Sequence, residues 1–111
     1  MQVKDIVKLL NLKVFSGLSG LENEVQGGYA SDLLSDVMGH AEAGSVWITL
    51  QSHKNVMAIA SLKELSAIIL VKGIEPERDT AMQSNQEGIP ILGTNLGSFE
   101  IAGKLYRLLN E

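Results

Sequence analysis

Ala67-Ile68-Ile69-Leu70-Val71 is an unbroken apolar run closed at once by Lys72-Gly73. A strand wet on one face alternates apolar with polar, so this run reads as a central strand of a parallel sheet, covered on both sides. Upstream, Val46-Trp47-Ile48-Thr49-Leu50 has the same β-branched and aromatic character and gives way to a polar loop, Gln51-Ser52-His53-Lys54. Between the two strands, Asn55 to about Leu65 reads as a helix with Val56, Ile59, Ala60 and Leu62 turned inward. Val56 to Ala60 alone would also suit a strand, and the length of the segment favours the helix. Downstream, Pro76 suits the first turn of a helix from Glu77 to about Glu87, with Gly88 as its stop. Ile89-Pro90-Ile91-Leu92 makes a third strand, with Pro90 near its start or on an edge. Ser98 to Leu109 closes the chain as a helix that sets Phe99, Ala102, Leu105, Tyr106 and Leu109 on one face. Strand and helix thus alternate three times, the order of two right-handed βαβ units.

The N-terminal third is less regular. Val3, Ile6, Val7 and Leu10 recur at helical spacing between Val3 and Asn11, and Leu12-Lys13-Val14-Phe15 alternates as a strand before the turn Gly17-Leu18-Ser19-Gly20. Glu24 to Ala30 reads as a short extended piece, because Gly27-Gly28 weakens any helix. Ser31 then caps a helix to about Met38, with Asp32 in its first turn and Gly39 or Gly44 as its end. A sheet of only three strands would leave apolar faces open, so this third must add one or two strands and the remaining helices. The economical architecture is a three-layer α/β/α sandwich with a small, mostly parallel sheet, a single domain over residues 1–111.

Composition narrows the function classes. The 111 residues carry 9 Lys and Arg against 13 Asp and Glu, a formal charge of -4, and no cysteine. That balance argues against a nucleic-acid partner. Without Cys the chain supplies no disulfide, zinc ribbon, iron–sulfur ligand or thiol nucleophile. No apolar run approaches the roughly 18 residues that span a bilayer, and the first residues lack the pattern of a secretory leader. The expected setting is the cytoplasm, away from membranes.

Catalytic motifs fail on their mechanics. The nearest P-loop spacing, Gly97 to Gly103-Lys104, has five intervening residues where four are required, and Leu105 stands where a hydroxyl should hold magnesium. There is no GxGxxG and no G-x-S-x-G elbow. His40 and His53 lack metal-ligand spacing, so no metal or other cofactor is expected. Asp32 and Asp36, at i and i+4, would share a helix face as an acid pair, or simply serve as a helix-start charge with a solvated neighbour.

What survives is the set of loops at the carboxyl ends of the strands, where ligands bind in parallel sheets. Ser52, His53 and Asn55 after one strand, and Thr94, Asn95 and Ser98 after another, offer hydroxyls, amides, an imidazole and helix N-termini suited to a phosphate-like anion, with Lys54 and Lys72 nearby. The same Asn55, Asn95 and Ser98 would also serve as plain helix caps, with both lysines solvated. Tyr29, Leu33, Leu34 and Trp47 are candidates for a self-association or docking face, Trp47 being equally suited to core packing.

Gly27-Gly28-Tyr29-Ala30-Ser31-Asp32-Leu33-Leu34-Ser35, Trp47-Ile48-Thr49-Leu50-Gln51-Ser52-His53-Lys54-Asn55, Gly88-Ile89-Pro90-Ile91-Leu92 and the Ser98-Phe99-Glu100 helix start together resemble the DRTGG domain family over nearly the whole chain. The letters that name the family are altered: Ser52-His53-Lys54 stands for its Gly-Asp-Arg, and Val71-Lys72-Gly73 for its Thr-Gly-Gly. The resemblance implies a fold similar to the N-terminal domain of HPr kinase, without that enzyme's P-loop and with no catalytic residues. Such domains occur beside CBS pairs in regulated pyrophosphatases and in some phosphotransacetylases. A stand-alone copy is then expected to be a small homodimeric regulatory module. Its ligand would be an adenine nucleotide or other phosphate-bearing anion, and it would act on a partner enzyme or regulator. The alternative is a dimerisation scaffold with no small ligand.

Overall fold

The computed structural model describes residues 1–111. Five strands and five helices follow in the order α1 (Val3–Leu9), β1 (Lys13–Ser16), β2 (Gly27–Ala30), α2 (Leu34–His40), β3 (Ser45–Thr49), α3 (Asn55–Leu62), β4 (Ala67–Leu70), α4 (Arg78–Glu87), β5 (Ile91–Gly93) and α5 (Ser98–Leu109). The strands form one sheet in the order β1-β5-β4-β3-β2. Neighbours from β2 to β5 are parallel, whereas β1 runs antiparallel against β5. The N-terminal third therefore supplies both edges, one strand at each end of the three that the sequence marks clearly.

Period-two alternation divides the sheet's side chains between two helical layers. Val46, Ile48, Ala67, Ile69 and Leu92 pack with Val3 and Ile6 of α1 and Ile101 and Leu105 of α5. On the opposite face Trp47, Ile68, Leu70 and Ile91 pack with Val37 of α2 and with Val56, Met57, Ile59 and Ala60 of α3. All five residues of β3 and all four of β4 are buried, as the continuous apolar runs require. The three-layer α/β/α sandwich is thus the observed architecture.

Polar groups lock the edges. The Ser16 hydroxyl of β1 donates to Ser84 Oγ of α4 at 2.9 Å, and Ser84 donates to the Ile89 carbonyl at 2.6 Å, so β1, α4 and the approach to β5 share one buried chain. Gly17 follows β1 at φ 76°, and a Cβ there would lie 2.6 Å from the Pro90 Cα. Only glycine can take that left-handed corner against the backbone entering β5.

Three local expectations change: Leu62, expected to turn inward from α3, is 68% exposed, and α2 and α5 differ in start and in phase. α2 starts at Leu34, not after Ser31. The Ser31 hydroxyl accepts the Leu33 amide at 3.2 Å, and Asp32 is held by β3 instead of entering the helix, so Asp32 and Asp36 do not form a helix-face pair. In α5 the buried residues are Ile101 and Leu105, which rotates Phe99 and Tyr106 out of the predicted inward face: they are 93% and 72% exposed.

Candidate functional site

The carboxyl ends of β3, β4 and β5 lie side by side, and backbone bonds tie their loops together. The Lys72 amide donates to the Leu96 carbonyl and the Gly73 amide to the Thr94 carbonyl, each at 2.9 Å. On the other flank the Glu77 amide donates to the Ser52 carbonyl at 3.1 Å. The loop after β4 therefore sits between the two halves of the predicted site, with Ser52, His53 and Asn55 on one side and Thr94, Asn95 and Ser98 on the other.

These halves differ in what they offer an anion. At the start of α3 the amides of Val56 and Met57 donate to the carbonyls of His53 and Lys54, so that turn is closed on its own backbone. α5 starts from Gly97, with no side-chain cap, and the Ser98, Phe99 and Glu100 amides have no partner within the chain. Asn55 and Ser98 are each the first residue of their helix rather than the cap. The simple capping role foreseen for them is not the one they occupy. Thr94 instead closes its own loop, its hydroxyl accepting the Leu96 amide at 3.2 Å.

Lys72 completes this end of the sheet. It is exposed and takes φ 58°, followed by Gly73 at φ 73°, so two successive left-handed residues turn the chain directly after β4. Non-glycine residues adopt that region at a cost of about 1–3 kcal/mol. The turn carries the Lys72 side chain across to the start of α5, where its Cε lies 3.9 Å from the position a Cβ on Gly97 would take. A cation thus lies over an uncapped helix N-terminus, two features that each favour an anion. Thr94, Asn95 and Gly73 also line a cavity of about 210 Å³ with Lys13 and Phe15 of β1 and Glu75 of the loop after β4. The Lys72 backbone conformation is the feature sequence reasoning did not register, and the Lys-Gly pair was its one signal.

Asp32 is the second residue missed. Its Oδ1 accepts the Thr49 hydroxyl at 2.9 Å and the Leu50 amide at 2.8 Å, and its carbonyl accepts Gln51 Nε2 at 3.0 Å. The loop after β2 is thereby clamped to the end of β3, which fixes where the Gln51–Asn55 loop begins.

The candidate docking residues separate. Trp47 is fully buried, with its Nε1 donating to the Ser31 carbonyl at 2.8 Å, so it is a core residue and not part of a surface. Leu33 is 64% exposed, Leu34 packs partly against the core, and Tyr29 is half-buried on β2. The Tyr29 hydroxyl donates to Asp36 Oδ2 at 2.9 Å, and His40 Nδ1 lies 3.3 Å from the other carboxylate oxygen. The Tyr29 bond above all, then the Ser31 hydroxyl and the His40 charge, hold the Asp36 carboxyl below its ordinary range, and the same bond raises the Tyr29 hydroxyl. A carboxyl depressed by folding stabilises the fold above its unfolded value and loses that contribution as pH falls through the folded one. In Tyr29→Phe, the Asp36 titration followed by carboxyl NMR is expected to move up toward the ordinary value. An unmoved titration would mean the bond is not formed in solution.

No group of three or more His, Asp or Glu side chains is placed to hold a metal ion, and no helix is long and apolar enough to cross a membrane. No family model and no curated protein matches the chain. A solved structure does: the CBS and DRTGG domains of the regulatory region of Clostridium perfringens pyrophosphatase, complexed with the activator diadenosine tetraphosphate. It superposes with a TM-score of 0.72 over 94% of this chain, at 14% sequence identity. The fold is DRTGG-like. The present chain covers 45% of that structure's length, so the DRTGG-like fold is shared with less than half of the regulatory region. At this identity the likeness is one of architecture, and the side chains at the strand ends must be judged on their own geometry.

Proposed function

We propose that this chain is a non-catalytic regulatory module that binds an adenine nucleotide or another phosphate-bearing anion at the loops following β3, β4 and β5. It acts as a homodimer and relays occupancy to a partner enzyme or regulator. The observation that carries the reading is Lys72, whose left-handed backbone brings an amine over the uncapped start of α5 beside Ser98. Phosphate oxygens would accept from the free amides of that first turn and from the lysine. Thr94 and Asn95 flank this position, with Ser52, His53 and Asn55 beyond the β4 loop for a second phosphate or the ribose. The DRTGG-like neighbour supports the nucleotide class, since its structure was obtained with an adenine dinucleotide activator. Kinase activity is not part of the reading, because no P-loop is present to hold a nucleotide for transfer.

Thermal unfolding against AMP, ADP, ATP, dinucleoside polyphosphates and inorganic phosphate, with and without magnesium, tests this. A ligand at 100 times its dissociation constant adds about 2.7 kcal/mol, which shows as a clear rise in midpoint. Lys72→Ala is expected to weaken the binding ligand about tenfold, as loss of one charge-assisted contact does, and Ser98→Ala to weaken it less. No midpoint shift across the panel would remove the nucleotide reading. The exposed Leu33 beside α2 would then favour a docking scaffold with no small ligand.

A further inference from the structure

We infer that the second copy in the homodimer lies antiparallel along the outer stripe of α5, each protomer seating Phe99 in the groove between its partner's α5 and β2. This rests on the homodimer reading above and names the surface that reading needs. Phe99, Gly103, Tyr106 and Asn110 follow one another at i, i+4, i+7 and i+11, a single line on a helix of 3.6 residues per turn. Two aromatic rings on that line are 93% and 72% exposed, more apolar surface than one helix face ordinarily leaves in water. Gly103 sits between them in the helix interior, where glycine costs about 1 kcal/mol relative to alanine. Nothing in this chain lies within 4 Å of where its Cβ would be, so the fold itself gives no packing reason for a glycine. A second helix crossing at that point would use the space, because a missing side chain lets two backbones approach closely.

The groove beside the stripe is the hole for the ring. It has a volume of about 310 Å³ and runs between Gly28 and Ala30 of β2 and Leu105, Tyr106 and Leu109 of α5. It exists because two small residues of β2 face α5 on this side. The same strand is an unguarded edge: β1, at the other end of the sheet, carries Lys13 and a register shift, whereas Gly27-Gly28-Tyr29-Ala30 carries neither a charge nor a proline.

Charge selects a second copy and sets its direction. Glu100, Lys104, Arg107 and Glu111 occupy one flank of the stripe, while Ala102 and Leu109 occupy the other. Arg107 meets Glu111 at 3.5 Å with both side chains exposed, and Glu100 has no ion-pair partner in the chain. Two antiparallel helices related by a two-fold axis bring like flanks together. Crossing near Gly103, they set Glu100 of each against Arg107 of the other, two pairs for one axis. A parallel alignment would lay the charged flank on Ala102 and Leu109. The antiparallel crossing also carries Phe99 to the level of its partner's Leu108, beside Tyr106 and Leu109 at the mouth of the groove.

Sedimentation velocity of the whole chain tests the arrangement, with Phe99→Asp, Glu100→Arg, Arg107→Glu, the double charge reversal and Leu33→Asp compared with the unaltered protein. The unaltered chain is expected to be dimeric, and Phe99→Asp to weaken the dimer about 100-fold or more, as loss of a central aromatic anchor does. Each single reversal should weaken it about tenfold, and the double reversal should restore it, since two attractive pairs become repulsive and then attractive again. Unfolding midpoints of the Phe99 and charge variants, compared at a dilution where the parent too is monomeric, should stay close to that of the parent, because these side chains are exposed. A double reversal no better than the singles would overturn the antiparallel arrangement. A dimer that survives Phe99→Asp but is lost in Leu33→Asp would place the interface at α2, leaving the homodimer reading intact and this inference wrong. A chain monomeric up to roughly 100 μM, where any tighter Kd would give mostly dimer, would remove the homodimer reading itself. A dimer that dissociates with Phe99→Asp and recovers with the charge exchange supports the inference in full.

Discussion

Trp47→Ala is expected to lower the unfolding free energy by about 3–5 kcal/mol, the range found when a large aromatic is cut back to a methyl inside a packed core. Trp47 is fully buried on β3, facing the α2, α3 and α4 layer with Val37, Val56 and Met57. Its loss also orphans the Ser31 carbonyl, which accepts the indole N–H at 2.8 Å. A domain of this size has only about 5–15 kcal/mol to lose, so the variant should be marginal at room temperature, with a urea midpoint far below that of the parent. Trp47→Phe keeps most of the ring volume and loses the donor, and should cost much less. Had Trp47 been a surface anchor, the alanine variant would fold normally and show only altered association. A urea midpoint within 0.5 kcal/mol equivalents of the parent, roughly the scatter of surface substitutions, would therefore contradict its place in the core.

How much of this was legible in the sequence depends on whether the deciding interaction is local. β3 and β4 are legible because burial on both faces leaves a continuous apolar run, and no distant residue is needed to recognise one. The outer strands are harder: Gly27-Gly28-Tyr29-Ala30 becomes a strand only because β3 offers it a parallel partner in register from Ser45 to Ile48. The antiparallel pairing of β1 with β5 is likewise a contact across more than half the chain, with Gly17 turning against Pro90 at its end. In α5 the periodicity was right and its phase was not. Phe99 and Tyr106 have the apolar character of core residues, yet Ile101 and Leu105 are the ones that reach the sheet. Pattern reading counts apolar residues and cannot tell a buried face from an exposed one.

The proposed strand-end site shows the same division. Its place beyond the carboxyl ends of parallel strands follows from topology, so Ser52, His53, Asn55, Thr94, Asn95 and Ser98 could be named without a structure. The contribution of Lys72 could not, because it arises from a positive φ and from the path of the β5–α5 loop alongside. An uncapped α5 is equally invisible, since Ser98 has the chemistry of a cap and misses that role by one position.

Asp32→Ala argues the point from the other direction, through a residue whose spacing suggested one partner and whose structure supplies another. Its carboxylate holds the Thr49 hydroxyl and the Leu50 amide, and Thr49 is fully buried. Removing the acceptor strands the proton of a buried hydroxyl whose oxygen still accepts the Gln51 amide at 3.2 Å, while the half-buried Leu50 amide can recover part of its loss from water. The expected cost is about 2 kcal/mol, the penalty for an unsatisfied buried polar group, with faster hydrogen exchange at the Leu50 amide. Thr49→Val in the same background removes the stranded proton along with the Gln51 amide's acceptor, and the Asp32–Thr49 bond is lost only once, so the double variant should lose less than the two single costs combined. Additive costs would mean that Asp32 and Thr49 act independently. Because the clamp sets the start of the Gln51–Asn55 loop, Asp32→Ala should also weaken any ligand that reaches Ser52 and His53 while leaving contacts at Lys72 and Ser98 in place. A ligand affinity unchanged in Asp32→Ala and reduced in Lys72→Ala would confine the site to the α5 side of β4.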